Sequence, residues 1–228
     1  MTTETTQTPQ FLPAWWLRGP HAQTIGAAVL ARRRRELGSV VRRVHLNDGD
    51  ALAVHDDTPA GWQPGGRVAI LSHGLADNHR SPLLGRLTDK LLSRGVRVFR
   101  WDMRCCGAGL ALARRPYHAG CSADLAAVVS QVVTWCRGDQ ASPAADPQLS
   151  LFGVSLSGNV LLKYLGEDPG RVPAAVQQAI AVNPPIDLVM GCEAIASRRN
   201  CFYDRYFTSQ LVRHLHRWWR VRADAVRP

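Results

Sequence analysis

A chain of 228 residues that is 46% hydrophobic can bury one substantial core, which excludes a disordered polypeptide and favours one domain with appendages. The net charge of +10 invites a nucleic-acid reading, yet arginine fills nearly all the basic positions along the whole chain and no helix-turn-helix, zinc-finger or RNA-binding signature accompanies them. A solvated basic surface with weak attraction to anionic membranes is expected instead of specific nucleic-acid binding, with peripheral membrane contact the strongest form it takes.

Residues 1–10 are polar and threonine-rich, with no basic and apolar leader pattern, so no cleaved signal is expected. No apolar run approaches the roughly 20 residues of a spanning helix. Six cysteines without C-x-x-C spacing argue against a zinc site, and reduced thiols in a cytoplasm fit them best. Phe11 to Trp16 is an apolar, aromatic opening segment, and a helix is predicted from about His21 to Glu36. Val40–Leu46 and Ala51–His55 flank Asn47-Asp48-Gly49-Asp50, which has the turn chemistry of a β-hairpin. Arg67–Ser72 reads as a buried strand running into His73-Gly74-Leu75. Leucines at helical spacing predict a helix over 82–94, ended by Gly95. Val96–Trp101 is the next strand, 105–120 a loop rich in glycine and arginine, and Ser122–Arg137 a helix. A turn over 142–147 leads to a strand from Leu149, a helix follows over 157–167, and Val176–Val182 is a further strand. Beyond Ile186 the pattern is helical only, over Asp187–Ser197 and Thr208–Arg222.

Strands alternating with helices predict a mainly parallel sheet covered on both faces, with an antiparallel N-terminal hairpin. Sites in such sheets lie at the carboxyl ends of the strands. There the segment Leu149-Ser-Leu-Phe-Gly-Val-Ser155-Leu-Ser-Gly-Asn159 has the form of a nucleophile elbow, a strand entering a sharp turn that lifts one serine before a helix begins. Ser155 is the candidate nucleophile. Ser157 stands where the pattern G-x-S-x-G has its last glycine, an intrusion expected to be tolerated with some strain. Ser157 fits worse as the nucleophile, because that frame puts Ser155 and Asn159 in the small flanking positions. His73-Gly74-Leu75 lies where the second oxyanion donor belongs, so the N–H groups of Leu75 and Leu156 are the candidate oxyanion hole. Glycine at 74 allows close approach.

These stretches, with Pro13-Ala-Trp-Trp-Leu-Arg-Gly-Pro-His-Ala-Gln-Thr-Ile25, Arg104-Cys-Cys-Gly107, Tyr117-His118-Ala-Gly120 and Tyr203-Asp-Arg-Tyr-Phe207, resemble the YheT-like group of α/β-hydrolases, predicted carboxylesterases related to abhydrolase-domain lipases. The resemblance implies ester hydrolysis through a serine, on a small-molecule ester or lipid, with no metal or organic cofactor. The family usually carries glycine at the position of Ser157 and a glycine-containing turn at Arg104-Cys105-Cys106. In this superfamily the acid and then the histidine follow the serine, each after a later strand. No strand is predicted after Val182. Asp187 or Asp204 with His214 or His216 would keep the order, but both histidines fall in an arginine-rich helix, and His73 and His118 precede the elbow. The sequence therefore reads as an α/β-hydrolase fold lacking its last two strand-helix units, with residues 1–38 as an N-terminal extension, 39–184 as the core and 185–228 as the start of a cap. Such a chain is expected to be nearly inactive, since losing one triad member costs up to about 10⁶-fold in kcat. It is also expected to expose an unpaired edge at 176–182 and so to aggregate or need a partner. A noncatalytic interaction module and an arginine-rich polyanion binder are the alternatives.

Overall fold

A computed structural model of the chain describes residues 10–30, 37–138 and 146–221. The arginine run 32–35, the end of the first expected helix, most of the 142–147 turn and the final arginines lie outside them. Two units are distinguished, residues 1–33 and 34–228. In the first, Pro20 opens a helix, α1 (Pro20–Leu30), where its fixed φ and missing N–H suit the first turn. Phe11, Leu12, Trp15 and Trp16 before it are exposed.

The second unit holds six strands, β1 (Val40–His45), β2 (Ala51–Asp57), β3 (Arg67–Ser72), β4 (Arg97–Asp102), β5 (Gln148–Val154) and β6 (Val176–Val182), in the sheet order β1-β2-β4-β3-β5-β6. The hairpin β1–β2 and the β2–β4 pair are antiparallel, and β4, β3, β5 and β6 run parallel. The helices are α2 (Pro82–Leu92), α3 (Ser122–Arg137), α4 (Leu156–Glu167), α5 (Leu188–Ala196) and α6 (Cys201–Val221). The period-two alternation of the strands sorts their side chains onto two faces. Val68, Ile70, Phe99, Trp101, Leu149 and Leu151 pack under α3 and α4, which contribute Leu125, Val128, Val132, Val160 and Leu161. Ala69, Leu71 and Val98 meet Leu84 of α2 on the other side. Each such large side chain, once buried, stabilises the fold by roughly 1.5–3 kcal/mol before chain entropy is counted.

Two expectations change. The final helix starts at Cys201, seven residues before the predicted Thr208, because exposed Phe202 and Tyr206 do not follow the apolar stripe that marks the later turns. The basic residues are not all surface. Arg97 grips Asp56 with two bonds of 2.9 and 2.6 Å, and Arg100 reaches Asp57, Ser39 and the His79 carbonyl. Arg104 donates to Asp124 through Nε and Nη2, both at 2.7 Å, and through Nη1 to Asp48 and Asp50. All three arginines are buried. Planar guanidinium forks satisfied on several sides are the form in which arginine enters an interior. The strand β6 lies at a sheet edge, with Gln177 to Ile180 exposed.

Candidate active site

The register places the end of β3 beside the end of β5, pairing Ser72 with Gly153. One residue past β5, Ser155 adopts φ +55 and ψ −124, a region that costs a non-glycine residue roughly 1–3 kcal/mol. The strain is not isolated. Among the described residues the four non-glycines with positive φ are Ala76, Cys105, Ser155 and Asn183, each in the loop that follows β3, β4, β5 or β6 at its carboxyl end. One end of the sheet therefore carries all the sterically costly backbone that side-chain-bearing residues adopt here.

Several contacts hold the bend at Ser155. Its N–H donates to the Val182 carbonyl at 2.9 Å, tying the elbow to the end of β6. A Cβ on Gly153 would lie 2.5 Å from the Ser157 carbonyl oxygen and 2.9 Å from the Gly158 nitrogen, so only glycine lets α4 start this close to β5. The expected strain at Ser157 is replaced by hydrogen bonding. Its buried Oγ accepts the Val154 N–H at 2.9 Å and donates to the Ser72 carbonyl at 2.9 Å, linking the end of β3 to the elbow. A hydroxyl here thus does what a glycine cannot.

The 73–75 loop meets the elbow. A Cβ on Gly74 would be 3.5 Å from that of Ser155 and 3.6 Å from the Val154 carbonyl oxygen, so the space between the loop and the elbow holds a methyl group and little more. Leu75 follows on this loop, and Leu156 is the first residue of α4. Neither N–H has an acceptor among the described residues. The loop is fixed beyond Leu75 by Tyr117, whose hydroxyl accepts the Ala76 N–H at 2.7 Å. Tyr117 lies in the stretch Tyr117-His118-Ala-Gly120, and nothing in its local pattern marks it as the anchor of a loop 41 residues away.

The histidines near this end are engaged in other ways. His73 is fully buried; its Nδ1–H donates to the Gly74 carbonyl at 2.8 Å and its Nε2 accepts the Met103 N–H at 3.1 Å, which fixes a neutral tautomer. Burial pushes its pKa down, against the opposing charge of Asp102. His118 is exposed and accepts the Gly120 N–H. His216 is exposed on α6, whereas His214 is half-buried edge-on to Tyr117, with ring centres 6.2 Å apart. Burial lowers the His214 pKa as well. The Ser155 hydroxyl has no hydrogen-bonded histidine among the described residues, and Asp187 caps α5 by accepting the Met190 N–H.

His73 and His214 set the acid side of stability. A histidine with a depressed folded pKa is protonated more readily when unfolded, so the unfolded chain binds more protons below the ordinary value of 6.5. Stability should be full above pH 6.5 and fall as the pH drops below it. Urea denaturation midpoints at pH 7.5, 6.5 and 5.5 check this, and a flat series would contradict it.

A second polar cluster has no local signature in the sequence. The Asp102 carboxylate, fully buried at the end of β4, accepts His55 Nε2–H at 3.1 Å, His79 Nδ1–H at 2.8 Å, and the backbone N–H groups of His79 and Ala108 at 2.7 and 2.9 Å. The two imidazoles stack 3.5 Å apart. Burial works to raise the Asp102 pKa, but the hydrogen bonds from His55 and His79 outweigh it and hold the carboxyl well below its usual range. These three residues offer ligand atoms within 4.8 Å of one another, a set that could take a small cation. Both carboxylate oxygens are already filled by N–H donors, so the cluster closes on itself as a hydrogen-bonded strut between β2, β4 and the loop before α2.

The comparisons with solved structures decide the fold. A lidless α/β serine hydrolase from Xanthomonas campestris superposes with a TM-score of 0.50 at 22% identity, over 68% of this chain and 65% of that one. The α/β-hydrolase fold is the architecture of this chain. An esterase from Pyrococcus furiosus matches the α/β-hydrolase sheet with a TM-score of 0.54 at 17% identity, over 83% of this chain and 63% of its own. Est1E from Butyrivibrio proteoclasticus gives 0.50 at 15%, over 66% and 53%. The chain thus spans about two thirds or less of the length of these α/β-hydrolase structures. No family model matches the chain, and no curated protein does. No described helix is long and apolar enough to cross a membrane.

Proposed function

We propose that this chain is a carboxylic ester hydrolase of the YheT-like group, acting on a small ester or lipid through Ser155. The observation that carries the reading is a serine in a strained, positive-φ bend between β5 and α4, facing Gly74, where an added methyl would lie 3.5 Å from the serine Cβ. In this chemistry a base takes the Ser155 proton as Oγ attacks the ester carbonyl, forming a C–O bond while the carbonyl electrons move to its oxygen. The Leu75 and Leu156 N–H groups stabilise that oxygen, and α4 adds the positive end of its dipole. Collapse expels the alcohol, which takes the proton, and water then releases the acid and restores the hydroxyl.

Hydrolysis of p-nitrophenyl butyrate tests the reading. With no histidine hydrogen-bonded to Ser155 among the described residues, the wild-type rate should exceed the buffer rate only modestly, and Ser155→Ala should remove that excess. A second reading, a noncatalytic module on the same fold, is favoured by the absence of a histidine bonded to Ser155 among the described residues. A wild-type rate equal to buffer would favour that module.

A further inference from the structure

The turn before α1 departs from the usual chemistry of turns. The Leu17 N–H donates to the Ala14 carbonyl at 2.8 Å, so Trp15 and Trp16 are the two central residues of a β-turn. Glycine, proline, asparagine, aspartate and serine dominate such positions, because their backbones or side chains suit the bend and meet water. Here two tryptophans stand in them, 79% and 52% exposed. The turn is tied to the helix behind it. Leu17 is half-buried, and its Cδ2 lies 2.7 Å from where a Cβ on Gly26 would be, filling the space that the glycine leaves. The tryptophans are thus held at the tip of a seated turn, with exposed Phe11 and Leu12 before them and exposed Ile25 and Leu30 on α1.

The charge of the same stretch is one-sided. Residues 10–35 contain five arginines, Arg18 and Arg32 to Arg35, and the first acid is Glu36. Arg18 is exposed. Apolar surface beside positive charge of one sign complements a bilayer leaflet that carries anionic headgroups, where each nearby basic residue adds attraction. Tryptophan is enriched at that boundary, since its ring lies in apolar surroundings while the indole N–H stays hydrated. The helix α1 has 11 residues, about 16 Å of length against the roughly 30 Å of a hydrocarbon core, so it can lie in the interface and cannot cross it. A single-stranded nucleic acid fits this surface less well, because Leu12, Ile25 and Leu30 have no ring face on which a base can stack.

We infer that the Trp15-Trp16 turn and α1 form a docking surface for an anionic phospholipid bilayer, the tryptophans entering the headgroup region and the arginines of this stretch drawing in the anionic lipids. The attraction expected of the whole basic surface is thereby assigned to one short stretch. It stands apart from the chemistry at Ser155.

Flotation of the full chain with vesicles of phosphatidylcholine, alone or with about one third phosphatidylserine, tests it. The chain should float with the mixed vesicles and at least about tenfold less with phosphatidylcholine alone; equal flotation would overturn the anionic assignment. Trp15→Ser with Trp16→Ser should lower flotation on mixed vesicles at least about tenfold, with an unchanged circular dichroism spectrum and urea midpoint. Arg32→Gln, Arg33→Gln, Arg34→Gln and Arg35→Gln together should bring it down to the phosphatidylcholine value. Arg198→Ala with Arg199→Ala, outside the stretch, should leave it unchanged, and a loss equal to that of the four glutamines would show general attraction to a basic surface and overturn the site. Val189→Ser with Phe202→Ser, exposed apolar residues of α5 and α6, should also change nothing; a loss equal to that of the tryptophan pair would place the contact elsewhere and overturn it. If replacing the tryptophans alters the sedimentation coefficient without lipid while flotation is kept, the turn is a contact between copies and the proposal fails. No flotation with either composition would overturn it entirely.

Discussion

Replacing Gly153 by alanine should destabilise the fold by about 2–4 kcal/mol and abolish any reactivity of Ser155. The added methyl would sit 2.5 Å from the Ser157 carbonyl oxygen and 2.8 Å from its carbon, both backbone atoms that no rotamer change can move. Relief requires α4 to slide away from β5. That motion breaks the Ser157 hydroxyl bridge to Ser72 and shifts Gly74 off Ser155. Urea denaturation measures the first effect, with a lower midpoint at an unchanged slope. A loss under about 0.5 kcal/mol would mean that the elbow is looser than the contact distances require.

The Asp102 strut predicts an effect of similar size. Asp102→Ala leaves two imidazole N–H groups and two backbone N–H groups without their acceptor at the buried end of β4. Removing one partner from a buried charged cluster typically costs 3–5 kcal/mol. The loss should be local before it is global. Hydrogen exchange at the His79 and Ala108 amides should accelerate well beyond that of the β5 amides, because their acceptor is gone while the parallel ladder remains. Gly107 adds a companion constraint, since a Cβ there would fall 2.4 Å from the Asp102 carboxylate and its φ is +48. Asp102 also bears on pH. Its folded pKa is depressed, so its stabilisation is present above the ordinary 3.8 and is lost only as the pH falls through the folded value, a more acid window than that of His73.

What the sequence displays well is local. Gly153, Ser155 and the helix that follows are encoded within a dozen residues, and the left-handed bend and close helix start both arise from that short segment. The hairpin turn at 47–50 and the stop at Gly95, with φ +72, are local in the same way. What it hides is pairing at a distance. Arg97 and Arg100 read as surface charge because their partners, Asp56 and Asp57, lie 41 and 43 residues away on another strand. His55 and Asp102 are separated by 47 residues, and only the antiparallel β2–β4 register brings them within reach. Asp50, which looks like an ordinary turn residue, is buried and accepts from both Arg104 and Arg114. Ser157 belongs to the same class, because the acceptor that makes a hydroxyl welcome there is the carbonyl of Ser72, 85 residues earlier.

The account depends on the Ser155 oxygen being the reactive atom of the elbow. Treatment of the chain with a fluorophosphonate, followed by peptide mass mapping, reads that atom directly. The phosphonate should be found on Ser155, slowly because no histidine is hydrogen-bonded to its hydroxyl among the described residues, and be missing from Ser155→Ala. A phosphonate on Ser157 or any other residue, or none on a chain that hydrolyses p-nitrophenyl butyrate, would contradict it.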